Sequence, residues 1–378
     1  MANKRLAVLI AYTGDGGVER MMNHLLRGFV DAGVSVDLLL LKARGGHLQD
    51  IPSEVNTIRL DVRTSILALP SLCRYLREHR PDALLAAKDR AGRVALMARR
   101  LTGARTRVVL RMGMHLSGSL QGKTRIQKLA RHLPVRWLYP WADAIVAVAP
   151  AVAEDLARIG QLPHSLFHVV PNPTIGPDLR ERSQQGVQHR WLQGEQGDCP
   201  TIVAAGRLRP QKDFATLLKA FRLLQERRSA RLIILGEGPE RPALQAQAQD
   251  LGMENDVDLP GFYENPYPIM RAASLFVLSS RFEGSPNVLV EAMALGTPVV
   301  ATDCPSGPRT ILAAGRHGPL VPVGNAEALA TAMEQTLDQP PTPNQLRNAV
   351  RAYTIENSTQ QYLRVLGLNE PKIDTNQK

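Results

Sequence analysis

Two glutamates, Glu283 and Glu291, bracket the stretch Gly284-Ser285-Pro286-Asn287-Val288 directly after the run LFVLSSRF. Gly and Pro there mark the entry to a helix, whose opening amides lack intrahelical partners and, with the helix dipole, favour an anion. If the whole span is helical, eight residues cover ~12 Å, comparable to the reach from a sugar across two phosphates to a ribose. One carboxylate could then hold sugar hydroxyls and the other a ribose diol. The alternative is a pair of ordinary surface glutamates.

A second loop carries the complementary charge. Gly206-Arg207-Leu208-Arg209-Pro210-Gln211-Lys212-Asp213 follows the strand-like TIVAA and places Arg207 and Lys212 five residues apart. A guanidinium forks onto phosphate oxygens and an ammonium acts as a point charge, so this loop could stabilise the charge gathered by a departing diphosphate. The plainer reading is a solvated basic loop. Gly14-Asp15-Gly16-Gly17 offers a further place for amides to meet an anion, or simply a tight strand-to-helix turn. It is not a dinucleotide fingerprint: the third glycine of that pattern is missing and no acidic ribose partner follows the second strand.

The elements that must position these residues alternate. Strand patterns lie at 5–11, 35–41, 83–87, 106–110, 144–148 and 166–170, with helical patterns at 17–32, 67–79, 90–101 and 150–159. After a polar stretch at 173–200 the alternation restarts, with strands at 201–205, 231–235, 256–259, 274–278 and 297–301 and helices at 213–227, 239–250, 287–294 and 325–337. Such repetition predicts parallel sheets covered by helices on both faces, with ligands at the carboxyl ends of the strands. The expected fold class is α/β, with two Rossmann-like, doubly wound domains at 1–173 and 174–352 facing across a cleft. A helix at about 353–367 is a candidate to pack back on the first domain, and the tail after Pro371 is expected to fray.

Hydrophobic residues at 44% allow each domain its own core. Cys73, Cys199 and Cys304 lack metal-ligand spacing and read as reduced thiols of a cytoplasmic protein. No apolar run approaches a membrane span, and the N-terminus reads as a first strand rather than a signal peptide. Residues 1–175 hold 25 Lys and Arg against 13 Asp and Glu, a net +12, whereas the remainder carries −1. The basic half suits an anionic membrane surface, a phosphate-bearing acceptor or nucleic acid. Aromatic residues make up only 4% of the chain and no nucleic-acid-binding motif is present, so nucleic acid is disfavoured. Residues 123–139 combine Lys123, Arg125, Lys128, Arg131 and Arg136 with Ile126, Leu129, Leu133, Trp137 and Leu138 at roughly helical spacing, broken by Pro134. Two readings stand: a basic amphipathic segment lying on an anionic membrane, or a core-facing helix with a solvated basic face.

The segments AGRLRPQKDFATLLKAF, LGEGPERPALQ, LPGFYENPYPIMRAASLFVLSSRFEGSPNVLVEAMALGTPVVATDCPSGPRTIL and GPLVPVGN resemble retaining glycosyltransferases of family 4, with the two-domain GT-B fold. Gly-Gly-Val-Glu-Arg at 16–20 and Val-Pro-Asn-Pro at 170–173 fit the same family. The resemblance implies transfer from a nucleotide diphosphate-sugar, with UDP as the expected nucleotide, to a cell-surface glycan or lipid-linked acceptor. Arg207 and Lys212 would hold the diphosphate. Glu283 would contact the donor sugar, the backbone from Gly284 through Ser285, Pro286 and Asn287 to Val288 the phosphates, and Glu291 the ribose. Gly16 and Gly17 would lie near the phosphates and Phe262 near the base. His115, after the strand at 106–110, would lie close to the reacting centre; a buried or capping histidine is the equal alternative. Catalysis would rest on Glu283, Lys212, Arg207 and His115, with no cofactor and no metal. No Asp-x-Asp motif sits in a strand–loop setting, and Thr310 stands where many relatives carry glutamate. A nucleotide-sugar epimerase of similar architecture and a non-catalytic sugar-nucleotide-binding subunit are the rival readings. The expected location is the cytoplasm, with peripheral attachment to the inner face of the membrane.

Overall fold

The computed structural model describes residues 4–13, 17–187, 189–193 and 199–369. The chain divides into two compact units, Met1–Pro173 with Thr354–Lys378, and Thr174–Tyr353. Among the described residues no helix is long and apolar enough to cross a membrane.

Unit 1 is built on seven parallel strands, β1 (Arg5–Thr13), β2 (Ser35–Arg44), β3 (Asn56–Arg59), β4 (Ala83–Ala87), β5 (Arg107–Met112), β6 (Ala144–Ala147) and β7 (Phe167–Val169), in the order β3-β2-β1-β4-β5-β6-β7. Its helices are α1 (Gly17–Asp31), α2 (Leu69–His79), α3 (Asp89–Thr102), α4 (Leu116–Ser119), α5 (Arg125–Leu138) and α6 (Pro150–Gly160). β1 shows why both faces are covered. Leu6, Val8, Ile10 and Tyr12 point into one apolar cluster while Ala7 and Leu9 point into the other, the period of two that a strand imposes. The central register pairs Leu6 with Val36 on one side and with Ala83 on the other. Strand order therefore reverses between β1 and β4, and the crevice at their carboxyl ends is the natural ligand position in such a sheet.

Unit 2 begins with α7 (Asp178–Ser183) and repeats the plan in six parallel strands: β8 (Thr201–Ala205), β9 (Arg231–Leu235), β10 (Val257–Gly261), β11 (Leu275–Leu278), β12 (Val299–Thr302) and β13 (Leu320–Val321), in the order β10-β9-β8-β11-β12-β13. Its remaining helices are α8 (Phe214–Gln225), α9 (Arg241–Asp250), α10 (Tyr267–Ala272), α11 (Asn287–Leu295), α12 (Gly307–Ile311), α13 (Ala326–Asp338) and α14 (Pro343–Ala349). Here the reversal falls between β8 and β11. The polar stretch read as a connection is packed in part, since Leu179 and Leu192 enter the apolar cluster of this unit.

The last helix, α15 (Ile355–Leu366), returns to unit 1. Tyr362, Leu363, Val365 and Leu366 bury against the α1 side of the first sheet, with the Tyr362 ring edge-on to Phe29 at 6.4 Å. Gly28 permits this approach: a Cβ there would lie 2.0 Å from Thr359 Oγ1. Arg107 Nε donates to the Val365 carbonyl and Ser358 Oγ to that of Pro171, closing the helix onto the unit.

Three local expectations change. α5 runs unbroken through Pro134, although the proline takes away the amide that would bond the Ala130 carbonyl; a Thr124–Gln127 capping box fixes its start. The edge strands β3 and β13 lack a buried apolar run: β3 is mostly exposed and β13 has two residues. Lastly, α11 starts only at Asn287, so just half of the Glu283-to-Glu291 span is helical.

Candidate donor site and the polar crevice of unit 1

The loops that leave β8 and β11, the two strands flanking the reversal in unit 2, carry the cations and the first glutamate. They are stitched together. Lys212 Nζ donates to Glu283 Oε1 at 2.7 Å, and Ser280 Oγ donates to the same oxygen at 2.7 Å. Ser279 Oγ donates to the Lys212 carbonyl, Gln211 Nε2 to that of Phe282, and the Arg281 amide to that of Gln211. Arg281 also pairs at 3.0 Å with buried Asp213. Asp213 starts α8 with φ +50°, a conformation that Asp tolerates better than most side chains. Gly206 makes room for the ammonium stem: a Cβ there would meet Lys212 Cε at 2.8 Å.

A third loop, after β12, braces the glutamate from behind. The Ser306 amide donates to the Glu283 carbonyl at 3.2 Å and Ser306 Oγ to that of Gly284 at 2.9 Å. Gly307 packs so closely that a Cβ would lie 2.6 Å from both the Gly284 carbonyl oxygen and Pro286 Cδ. Behind the pair, burial first and the Glu283 charge second push the Cys304 thiol up to about 12. α11 opens with Pro286 as an N-cap that supplies no side-chain acceptor, and its first turn holds no acidic residue, a start suited to an anion.

The sequence-derived residues thus fall out as follows. Lys212 and Glu283 are bonded, and Gly284, Ser285 and Pro286 lead into α11, whose first residues are Asn287 and Val288. Glu291 lies buried in that helix. Arg207, on the Lys212 loop, is exposed and has no ion-pair partner among the described residues. Phe262, just past β10, is 60% exposed. Thr310 lies exposed on α12, next to the Arg309–Asp303 ion pair. Gly17 is the first residue of α1, and Gly16 lies outside the described residues. Ser280, Gln211, Ser279 and Ser306 were not singled out in advance. The polar Ser279-Ser280 pair ending the apolar β11 run was the available signal.

In unit 1, His115 caps α4: the Gly118 amide donates to His115 Nδ1 at 3.0 Å. An accepting Nδ1 leaves the proton of the neutral ring on Nε2, so the 3.6 Å approach of Nδ1 to Asp155 is not a hydrogen bond. Asp155 instead accepts from the Ser117 amide, from Ser117 Oγ at 2.5 Å and from Arg158. Burial works against this carboxylate, but the bonds from Ser117 and Arg158 outweigh it and hold it below the usual carboxylate range.

The crevice at the β1–β4 reversal is strongly polar. Lys88, just past β4 and capping α3, has φ +76°, a strained backbone for a long side chain that costs ~1–3 kcal/mol. Its Nζ donates to the Ala11 carbonyl and to buried Glu19, both at 2.9 Å. Next to it, Asp89 receives a two-pronged bond from Arg93, a bond from Arg131 of α5 and the Tyr139 hydroxyl. α5 buries only Val135. Ile126 and Trp137 are 80% and 70% exposed, and Leu129 and Leu133 are also exposed. At 3.6 residues per turn these four lie within about 80° of the helix circumference, so the core-facing reading of this segment does not hold.

Comparison with known proteins agrees with this layout. Residues 188–353 match the model for glycosyl transferases group 1 and residues 16–173 the glycosyl transferase 4-like domain. A Campylobacter jejuni N-acetylgalactosamine-N,N'-diacetylbacillosaminyl-diphospho-undecaprenol 4-alpha-N-acetylgalactosaminyltransferase is 30% identical over 89% of this chain and 90% of its own. The lipopolysaccharide core biosynthesis glycosyltransferase LpsE of Rhizobium meliloti is 29% identical over 85% of each chain. Anabaena HepE in complex with UDP and glucose superposes with a TM-score of 0.74 at 22% identity, covering 97% of this chain and 100% of that one. The chain belongs to the group 1, family 4 glycosyltransferases of bacterial polysaccharide and lipopolysaccharide synthesis, with the GT-B fold.

Proposed function

We propose that this chain transfers a sugar, with retention at the anomeric carbon, from a UDP-sugar to a lipopolysaccharide-type or lipid-linked acceptor at the cytoplasmic face of a membrane. The bond from the anomeric carbon to the β-phosphate oxygen breaks. A bond from an acceptor hydroxyl oxygen forms on the same face, and the hydroxyl proton leaves with the diphosphate, giving glycosylated acceptor and UDP. In this reading Lys212, Arg207 and the α11 amides take up the charge of the departing diphosphate, Glu283 positions the donor sugar, Glu291 holds the ribose and Phe262 borders the base. His115, with Nδ1 committed to its helix cap, has Nε2 as the ring nitrogen left for the reaction in this reading. Positive charge on protein side chains stands in for a metal ion.

The observation that carries the proposal is the 2.7 Å bond joining Lys212 and Glu283 across the two loops of the strand-order reversal, where open α/β sheets bind ligands. The relatives' names support the acceptor class: one refers to a diphospho-undecaprenol acceptor and another to the lipopolysaccharide core. The UDP complex of Anabaena HepE supports the nucleotide. The exposed apolar stripe of α5, flanked by Arg125 and Arg136, supports attachment to an anionic membrane.

The test is a donor screen that reads released UDP or GDP with lipid-linked acceptors, with EDTA present and the product anomer assigned by NMR. UDP release, a retained anomer and insensitivity to EDTA are expected, with loss of most turnover in Lys212→Ala and Glu283→Ala. Wild-type initial rates in either variant would defeat the site assignment, and an inverted anomer the mechanism. Sedimentation with anionic and neutral vesicles tests the membrane contact.

A further inference from the structure

Two crevices of about 300 and 390 Å³ lie at the carboxyl ends of the first sheet of unit 1 and share Lys42 and Val62. Their walls hold six cations, Lys42, Arg44, Arg63, Lys88, Arg90 and Arg131, against two acids, Asp61 and Asp89. The larger share of that charge comes from chain segments far apart in sequence: the end of β2, the approach to α2, the β4–α3 junction and α5. Charge this concentrated on one concave surface is unlike the scattered, mixed-sign charge of an ordinary solvated face.

Three features make the centre of the crevice an anion site. First, the switch point between β1 and β4 places it where open α/β sheets hold ligands. Second, α3 is fourteen residues long and begins at Asp89, with Lys88 as an N-cap that supplies no side-chain acceptor; its opening amides lack a capping side chain, and the one carboxylate in its first turn, Asp89, is occupied by Arg93, Arg131 and Tyr139. Third, the Lys88 ammonium is held in place. Two of its three hydrogens go to the Ala11 carbonyl and Glu19, leaving the third for the crevice that Lys88 lines. The left-handed backbone at Lys88 and the burial of Glu19 fix that ammonium rather than let it range through solvent.

We infer that this crevice binds a phosphoryl group carried by the acceptor, with Lys88, Lys42, Arg90 and Arg131 as its ligands. The inference rests on the glycosyl-transfer reading and narrows its acceptor to one bearing phosphate or diphosphate. Two sources share that chemistry, a lipid-linked diphosphate and a phosphorylated glycan. Asp89 takes part by holding Arg131 at 3.2 Å and Arg93 in a two-pronged bond, so it orders the cations rather than opposing the anion.

The test is calorimetric titration of the full chain, first with UDP to fill the donor site, then with inorganic pyrophosphate, farnesyl diphosphate or glucose 1-phosphate. At least one of these probes is expected to bind with UDP present, and Arg90→Glu and Lys42→Glu, both on exposed side chains, should each weaken it at least tenfold while UDP affinity stays within twofold. Lys88→Ala is a poorer choice because it strands buried Glu19. Tightest binding of farnesyl diphosphate assigns a lipid carrier, and tightest binding of glucose 1-phosphate a phosphorylated glycan. UDP binding without binding of any probe, or probe binding indifferent to both variants, overturns the inference and leaves the transfer reading standing. Failure of UDP itself to bind strikes the transfer reading, and the probes are then read on the free protein by the same tenfold criterion.

Discussion

Lys212 and Glu283, 71 residues apart, share a 2.7 Å hydrogen bond. Both side chains are largely buried, at 16% and 9% exposure. The cation expected to meet the donor diphosphate is therefore positioned by the carboxylate expected to meet the donor sugar. An ammonium has three donors, so a diphosphate can engage Lys212 without breaking this bond. The two loops consequently act as one unit.

Removing one partner strands the other. Lys212→Ala leaves the Glu283 carboxylate buried with Ser280 as its remaining side-chain donor, and should cost about 2–3 kcal/mol, below the ~3–5 of a fully buried pair. The double variant Lys212→Ala/Glu283→Gln removes the stranded charge and should recover ~1–2 kcal/mol relative to the sum of the single changes. Urea denaturation of the four proteins measures both. Strict additivity would mean that the bond is not made in solution.

Gly307 tests the brace behind the glutamate. An alanine Cβ there would press on the Gly284 carbonyl oxygen and on Pro286, neither of which can yield without moving the loop that carries Glu283. Overpacking of this kind costs ~1–3 kcal/mol. Gly307→Ala should fold, lose about tenfold or more in kcat/KM for the donor, and leave UDP binding less affected than turnover. Unchanged kinetics would show that the loop after β12 does not position Glu283.

The alternation of apolar runs and amphipathic stretches makes the two parallel sheets legible in the sequence, because a strand buried on both faces is a compact run of Val, Ile, Leu and Ala, as in TIVAA and ALLAA. β3 was not legible because an edge strand with mostly exposed side chains carries no such run. The two loops that the Lys212–Glu283 bond joins could be singled out because each sets Gly and Pro beside a charged residue, Lys212 in one and Glu283 in the other. The basic crevice of unit 1 could not, since Lys42, Lys88 and Arg131 come from three segments that only the sheet order brings together. One signal was present: Lys88 directly ends the apolar run ALLAA, where a strand gives way to a helix. His115 left two readings open, and the accepting role of its Nδ1 at α4 is a matter of backbone geometry that residue type alone does not specify.

The apolar stripe of α5 should contribute nothing to folding. Ile126→Ser and Trp137→Ser replace side chains that are mostly in solvent, so each should change stability by no more than about 0.5 kcal/mol. Sedimentation with anionic vesicles should fall at least fivefold in the double variant, and further in Arg125→Glu/Arg136→Glu, with a salt dependence that reflects the basic flank. A large loss of stability would instead show that the stripe packs against protein in solution.

Asp155 gives the clearest dependence on pH. Its carboxylate anchors the segment carrying His115 through Ser117 and Arg158, and these bonds, overcoming burial, hold its folded pKa below the ordinary value. A group lowered in the folded state contributes its full stability above the unfolded value of ~3.9 and loses it as pH falls from there through its own lower value, because the unfolded chain takes up the proton first. Asp155→Asn should therefore cost ~2–3 kcal/mol at pH 7, and its deficit against the parent should shrink steadily below about pH 4. Urea midpoints at pH 7, 4.5 and 3.5 give the comparison. A deficit that stays constant down to pH 3.5 would mean that Asp155 holds Ser117 by shape rather than by charge. The His115 cap would then have to owe its position to the α4–α6 packing alone.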